Sequence, residues 1–168
     1  MRVEKELTVN APVEKVYKMW TDFENFPSFM EHVESVRKIG DKTYHWKARI
    51  GPIEKEWDAE VQGLVPNRTV TWRSISGAEN AGAVTLAERG NTTDMHVVIE
   101  YDPTWIEAIG DTITGALSRS VEEDLARFKR LAEGRDPNLA NADDARPAMG
   151  QPGSQGRNPF YDRDREDR

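Results

Sequence analysis

Tyr44-His45-Trp46-Lys47-Ala48-Arg49-Ile50-Gly51-Pro52-Ile53-Glu54-Lys55-Glu56-Trp57-Asp58-Ala59 reads as two strands folded back on each other at Gly51-Pro52. With a two-residue turn, Arg49 faces Glu54, Lys47 faces Glu56, and His45 faces Asp58. On the opposite side Ile50 meets Ile53, Trp46 meets Trp57, and Tyr44 meets Ala59. Opposite charges on one face and apolar pairs on the other are what cross-strand neighbours favour, so the pairing fixes its own register. Proline as the second turn residue is unusual in a tight hairpin, which leaves a bulge-shifted register as the alternative.

The same alternation extends along the chain. Between Val33 and Tyr101, turn signals stand at Gly40-Asp41, Gly51-Pro52, Pro66-Asn67, Gly77-Ala78 and Gly90-Asn91. They delimit six strands at a spacing of roughly 10–12 residues, which predicts an antiparallel meander. One face stays apolar through Trp57, Ala59 and Val61, then Val70 and Trp72, then Val84 and Leu86, then Val97 and Ile99. Ahead of the meander, Arg2–Asn10 alternates as a further half-buried strand. Asn10 is the expected N-cap of a helix whose apolar face is Val13, Val16, Tyr17 and Trp20. The aromatic stretch from Thr21 to Met30, broken by Pro27, reads as a second short helix with a loop. After Asp102-Pro103 the period becomes helical: Ile106, Ile109, Ile113, Leu117, Val121, Leu125, Phe128 and Leu131. Such a helix, about 28 residues long, spans roughly 40 Å and reaches across the whole sheet. Gly110 and Gly115 thin its first turns, and Gly134 marks its stop.

The pattern therefore predicts an α+β helix-grip architecture. It has a curved seven-stranded antiparallel sheet, two short helices after the first strand, and a long C-terminal helix packed across the sheet. A single helix does not cover a strongly twisted sheet along its length, so an elongated apolar cavity is expected between them.

Composition bounds what such a fold does. The 168 residues are 37% apolar, about 44% with the 12 glycines, just below the globular norm of ~45–50%. The deficit lies in residues 134–168, which hold four Gly, four Pro, seven acids and six arginines and lack Lys, Trp, Val and Ile. We expect a folded domain over 1–133 and a disordered tail over 134–168. The net charge of −7 disfavours nucleic-acid binding, and no apolar run reaches the ~18 residues of a transmembrane segment. Without a signal-peptide core after Met1-Arg2, a cytoplasmic location is expected. No cysteine is present, which removes disulfides, thiol catalysis and cysteine-bound zinc.

The order of elements resembles the START-like superfamily (SRPBCC, helix-grip), which includes lipid-transfer START domains and the birch-pollen allergen. Within it the chain is most similar to the bacterial polyketide cyclase/dehydrase and coenzyme-Q-binding branch. The segments that carry the resemblance are Asn10–Tyr17, Trp20–Met30, Thr71-Trp72-Arg73-Ser74, Gly82–Leu86 and Tyr101-Asp102-Pro103. It covers about residues 1–133. It implies the fold strongly, and implies either hydrophobic-ligand binding or cyclase chemistry.

The residues themselves favour a binder over an enzyme. His45 beside Asp58 belongs to the solvent-facing charge ladder, His96 also points outward by parity, and His32 is expected at the surface, with a cavity mouth as the alternative. No histidine pair has metal-ligand spacing, so no metal or other cofactor is expected. Arg73 alternates with the inward Trp72 and falls outside, while the inward polar candidates Lys5, Lys55, Ser74 and Thr85 are scattered. No cluster of base and oxyanion donor is legible, as acid–base catalysis would need. No catalytic residue is assigned. The expected ligand-binding residues are Phe26, Phe29 and Met30 from the aromatic segment, with Tyr44, Trp46, Trp57 and Ala59 from the central hairpin. Val70, Trp72, Val84, Leu86, Val97 and Ile99 follow from later strands, and Ile109, Ile113, Leu117 and Val121 from the long helix. The mouth is placed near Phe26–Met30 and the start of that helix. The expected partner is a hydrophobic small molecule (lipid, quinone or polyketide-like). The alternative is a polyketide aromatase/cyclase acting on a carrier-bound polyketide. A weaker third reading is protein contact through the acidic face or the tail.

Overall fold

The computed structural model describes residues 1–102, 104 and 111–137, with the side chains of 111–114 excepted. The tail from 138 onward, and with it the expectation of disorder there, lies outside the described residues.

The chain opens with β1 (Arg2–Val9), helix α1 (Val13–Thr21) and a 3₁₀ helix (Phe23–Ser28). A meander follows: β2 (Val33–Lys38), β3 (Thr43–Ile50), β4 (Ile53–Val65), β5 (Thr69–Gly77), β6 (Asn80–Arg89) and β7 (Thr92–Tyr101). The long helix α2 runs over Asp111–Ala132. Every turn in the meander falls where the sequence signals placed it. The seven strands form one antiparallel sheet in the order β1-β7-β6-β5-β4-β3-β2, so β1 closes back onto the last strand. This is the helix-grip fold.

The β3–β4 register is the one the charges dictate. Arg49 pairs with Glu54, Lys47 with Glu56, His45 with Asp58, and Trp46 with Trp57, with no bulge. Gly51 takes φ 59° in the turn, which lets Pro52 occupy the second position without displacing the pairing. On the solvent side Lys47 Nζ lies 2.9 Å from Glu54 Oε1. Arg49 Nε lies 2.6 Å from Glu34 Oε1 of β2, extending the ladder to a third strand.

Register shifts leave an extra residue between Val33 and Ser35 of β2, between Val61 and Gly63 of β4, and between Ser74 and Ser76 of β5, where the strands bend. At Gly82 a Cβ would stand 2.1 Å from the Trp72 ring, so the absence of a side chain lets that indole lie over β6. Helix α1 departs from expectation at its start: Pro12, not Asn10, precedes the first turn. Pro12 accepts the opening bonds from Lys15 and Val16 N–H through its carbonyl. Asn10 instead donates its backbone N–H to Glu133 Oε1 at 2.9 Å, joining the end of β1 to the end of α2.

Helix α2 turns Leu117, Val121, Leu125, Phe128 and Ala132 inward. Phe128 is fully buried and meets Trp20 edge-on at 5.2 Å and Phe29 at 5.1 Å. That aromatic knot fastens α1, the 3₁₀ helix and α2 together against the strands. Among the described residues, no helix is long and apolar enough to cross a membrane.

Candidate functional site

Beyond the aromatic knot, sheet and helix part to leave a cavity of about 130 Å³. Strand period builds one wall: Trp46, Ala48 and Ile50 of β3 face the same way, as do Trp57, Ala59 and Val61 of β4. Helical period builds the facing wall from Leu117, Ser120, Val121 and Asp124. Trp20, Phe23, Phe26 and Met30 close the side towards the knot.

The aromatic side chains hold one another in place. Trp46 and Trp57 stack with centroids 5.9 Å apart and planes 8° from parallel. Phe26 stands edge-on to Trp46 at 5.3 Å, and Phe23 edge-on to Tyr44 at 5.0 Å. Trp46, Trp57 and Trp72 are each only partly buried, and all three border the cavity.

The sequence-derived set divides in two. Phe26, Met30, Tyr44, Trp46, Trp57 and Ala59 line the cavity, together with Trp72, Ile99, Leu117 and Val121. Phe29, Val70, Val84, Leu86 and Val97 instead pack in the core beside it, with Val70 and Val84 paired across strands and fully buried. Parity alone places both groups inward and does not distinguish a filled position from an open one. Ile109 and the side chain of Ile113 lie outside the described residues, as does Gly110 at the expected mouth.

The polar lining differs from expectation. His32, read as a surface residue with the cavity mouth as its alternative, lines the cavity. Thr85 is exposed, since its neighbours Val84 and Leu86 take the inward positions. Lys5 ties β1 to α2 through Glu122 at 2.9 Å, and the Ser74 hydroxyl accepts the Asn80 backbone N–H at 3.0 Å. Lys55 does reach the cavity, with Asn80 and Tyr101.

Asp124 is the group that sequence reading missed. It is 6% exposed and sits in the wall. Its Oδ1 accepts the Glu31 backbone N–H at 3.0 Å and also pairs with Arg127. Arg127 in turn donates through Nε to the Phe29 carbonyl at 2.9 Å, so the pair clasps the 29–31 segment to α2. Burial pushes the Asp124 carboxyl above the usual carboxylate range, against the pull of the Glu31 N–H and Arg127. Tyr101 is raised too, by burial first and then by the Asp124 charge, so its hydroxyl stays protonated. The signal was present: Asp124 lies three residues after Val121 and four before Phe128, on the apolar stripe itself.

Outside, His45 Nδ1 lies 2.7 Å from Asp58 Oδ1, and Ser76 Oγ donates to Asp58 Oδ2 at 3.0 Å. The serine meets the aspartate and not the imidazole, so no activated nucleophile results. His96 pairs with Glu4 at 2.7 Å, and Arg73 is exposed. Among the described residues no three His, Asp or Glu converge as metal ligands. Trp20 Nε1 is buried without a hydrogen-bond acceptor, in a ring held edge-on to Phe26 at 5.1 Å.

Comparison with known proteins agrees with this geometry. A family model described as polyketide cyclase / dehydrase and lipid transport matches residues 9–130. An uncharacterized 17.2 kDa protein of Streptomyces lincolnensis is 35% identical over 137 residues, covering 80% of this chain and 91% of its own. A START superfamily protein from Mycobacterium smegmatis superimposes with TM-score 0.64 at 15% identity, over 77% of this chain and 98% of that one. The Zhui aromatase/cyclase from a Streptomyces species superimposes with TM-score 0.58 at 16% identity, over 80% and 98%.

Proposed function

Because the chain belongs to the polyketide cyclase / dehydrase and lipid transport family, we propose that it binds and carries a hydrophobic small molecule in the cavity between sheet and α2. The observation that carries this reading is the set of inward indoles, Trp46, Trp57 and Trp72, left partly buried around an open space. Burying apolar area is worth ~25 cal/mol per Å², and a core under selection for stability alone would close on these rings. A ligand supplies the missing contact. A cytoplasmic site of action belongs to this reading. The test is native mass spectrometry of protein purified from its own cells, followed by solvent extraction. A lipophilic compound leaving the protein on extraction, with a change in tryptophan emission, is the expected result. Protein that is ligand-free as purified and unresponsive to every apolar probe contradicts it.

One observation favours the alternative, an aromatase/cyclase. Asp124, Tyr101 and His32 on the cavity wall supply proton acceptors and donors that a pure carrier does not need. Turnover of a carrier-bound poly-β-ketone, lost in Asp124→Asn, is the result that would replace the carrier reading with this one.

A further inference from the structure

Three of the four exposed large aliphatic side chains among the described residues stand at one end of the sheet: Ile39 in the β2–β3 turn, and Leu64 and Val65 at the end of β4. The fourth, Ile75, lies towards the other end of β5. The two turns are neighbours. The Val61 N–H of β4 donates to the Lys42 carbonyl at 2.8 Å, and β4 runs on past its last pairing with β3, Glu60 to Thr43, as far as Val65. The turn that follows is fixed: Asn67 takes φ 62°, and the Arg68 N–H closes it on the Val65 carbonyl at 3.0 Å.

Single exposed aliphatics are ordinary, but these share their end of the sheet with unmatched cations. Arg37, Lys38, Lys42 and Arg68 are all exposed, and among the described residues no carboxylate pairs with any of them. By contrast, Lys47 is matched by Glu54, Arg49 by Glu34, and Arg89 of the β6–β7 turn by Asp94. Residues 37–42 and 64–68 hold four cations and one acid, Asp41, in a chain whose net charge is −7. Glu60, opposite Thr43, and Glu88, near the end of β6, also lie at this end without pairing with the four.

Aliphatic tips flanked by basic side chains match a bilayer interface, where the tips enter the acyl boundary and the cations meet lipid phosphates. A nucleic acid would use the cations but offers the aliphatic tips no apolar layer to enter. We propose that the β2–β3 and β4–β5 turns dock the protein on an anionic membrane surface, with Ile39, Leu64 and Val65 in the interface and Arg37, Lys38, Lys42 and Arg68 against the headgroups. The part of the cavity wall formed by Lys55, Asn80 and Tyr101 lies at the opposite end of the sheet, by the β3–β4 and β5–β6 turns, and faces away from the docked bilayer. The inference goes beyond the carrier reading and does not depend on the cavity.

The experiment is flotation of the full chain with phosphatidylcholine vesicles, with and without phosphatidylglycerol, at low and high salt. The protein should float with the anionic vesicles, stay behind with the neutral ones, and be released by high salt. Each basic residue at an anionic bilayer strengthens binding about fivefold, so the triple variant Lys38→Gln, Lys42→Gln, Arg68→Gln should lose at least about tenfold in partitioning. Leu64→Ser with Val65→Ser should weaken flotation as well, while Ile75→Ser, equally exposed but elsewhere, should not; circular dichroism checks that each variant is folded. Failure of the wild type to float with anionic vesicles overturns the proposal without any variant. Flotation that survives both turn variants, or that Ile75→Ser reduces as much, overturns the assignment to these turns. Equal flotation with neutral vesicles overturns the role of the cations. Self-association in sedimentation, lost in the Leu64 and Val65 variant, would make a second copy of the chain the occupant and overturn the membrane.

Discussion

The interior has two halves built by the same alternation, and they end differently. Around Phe128, the side chains of Trp20, Val70, Val84, Met95 and Val97 are at most 1% exposed. Around Leu117 and Val121, the facing Trp46, Trp57, Trp72 and Tyr101 remain partly exposed. The first half is filled because α1 and the 3₁₀ helix insert Trp20, Phe26 and Phe29 between sheet and α2. Among the described residues, no third element plugs the second half. A long helix over a curved sheet thus gives stability where a third element intervenes and a cavity where none does.

Removing atoms from the two halves should expose that difference. Phe128→Ala should have the largest effect, a loss of about 3–5 kcal/mol in denaturant unfolding, because every neighbour of this ring is packed. Trp57→Ala removes a larger side chain and should cost less, about 1–2 kcal/mol, since part of its surface already borders empty space. Equal losses at the two positions would mean that the second half is also a closed core.

Asp124 should show itself in the pH dependence of stability. Its pKa is raised in the fold, so between the ordinary carboxylate range and that raised value the folded protein holds a proton that the unfolded chain has lost. With respect to this group, stability is gained as pH falls through the folded pKa and is fully present below the unfolded one. Asp58 and Glu54 act in the opposite sense, because His45 and Lys47 hold them below their ordinary values. Their contribution is therefore lost on acidification. The difference in Tm between wild type and Asp124→Asn should accordingly grow in favour of the wild type as pH is lowered from 7 towards 4. A constant difference would show that Asp124 is not buried as a charge. The smallest effect belongs to Lys47→Glu on the outer ladder, where exposed pairs are screened by water and salt. Its change in Tm should shrink further in high salt.

The fold was legible because its signals are local and repeated. The hairpin register followed from charges in Lys47, Arg49, Glu54 and Glu56, and the turns from Gly and Pro positions; both depend on near neighbours in sequence. The cavity was legible only as a face. Alternation assigned Val70 and Trp72 to the same side with equal weight, yet Val70 is sealed and Trp72 borders space. That distinction depends on where Trp20 and Phe29 reach from distant segments. Asp124 was overlooked for a related reason: an acid on an apolar stripe is tolerated only through Arg127 and the Glu31 N–H, and the latter lies 93 residues away in the chain. Asn10 misled as a cap because the helix begins at Val13, with Pro12 in the cap position, two residues after the asparagine.

The central claim is that the open half of the interior exists to be filled by a ligand, and Leu117→Trp tests it most directly. Leu117 is buried at the cavity wall, and an indole there would occupy much of the roughly 130 Å³ that a ligand needs. Thermal unfolding and apolar-probe titration of this single variant, beside the wild type, give both answers together. The account predicts an equal or higher Tm, as cavity filling commonly gives about 0.5–2 kcal/mol, together with loss of probe binding that the wild type shows. A wild type that binds nothing, or a variant that binds as well as the wild type, would contradict it.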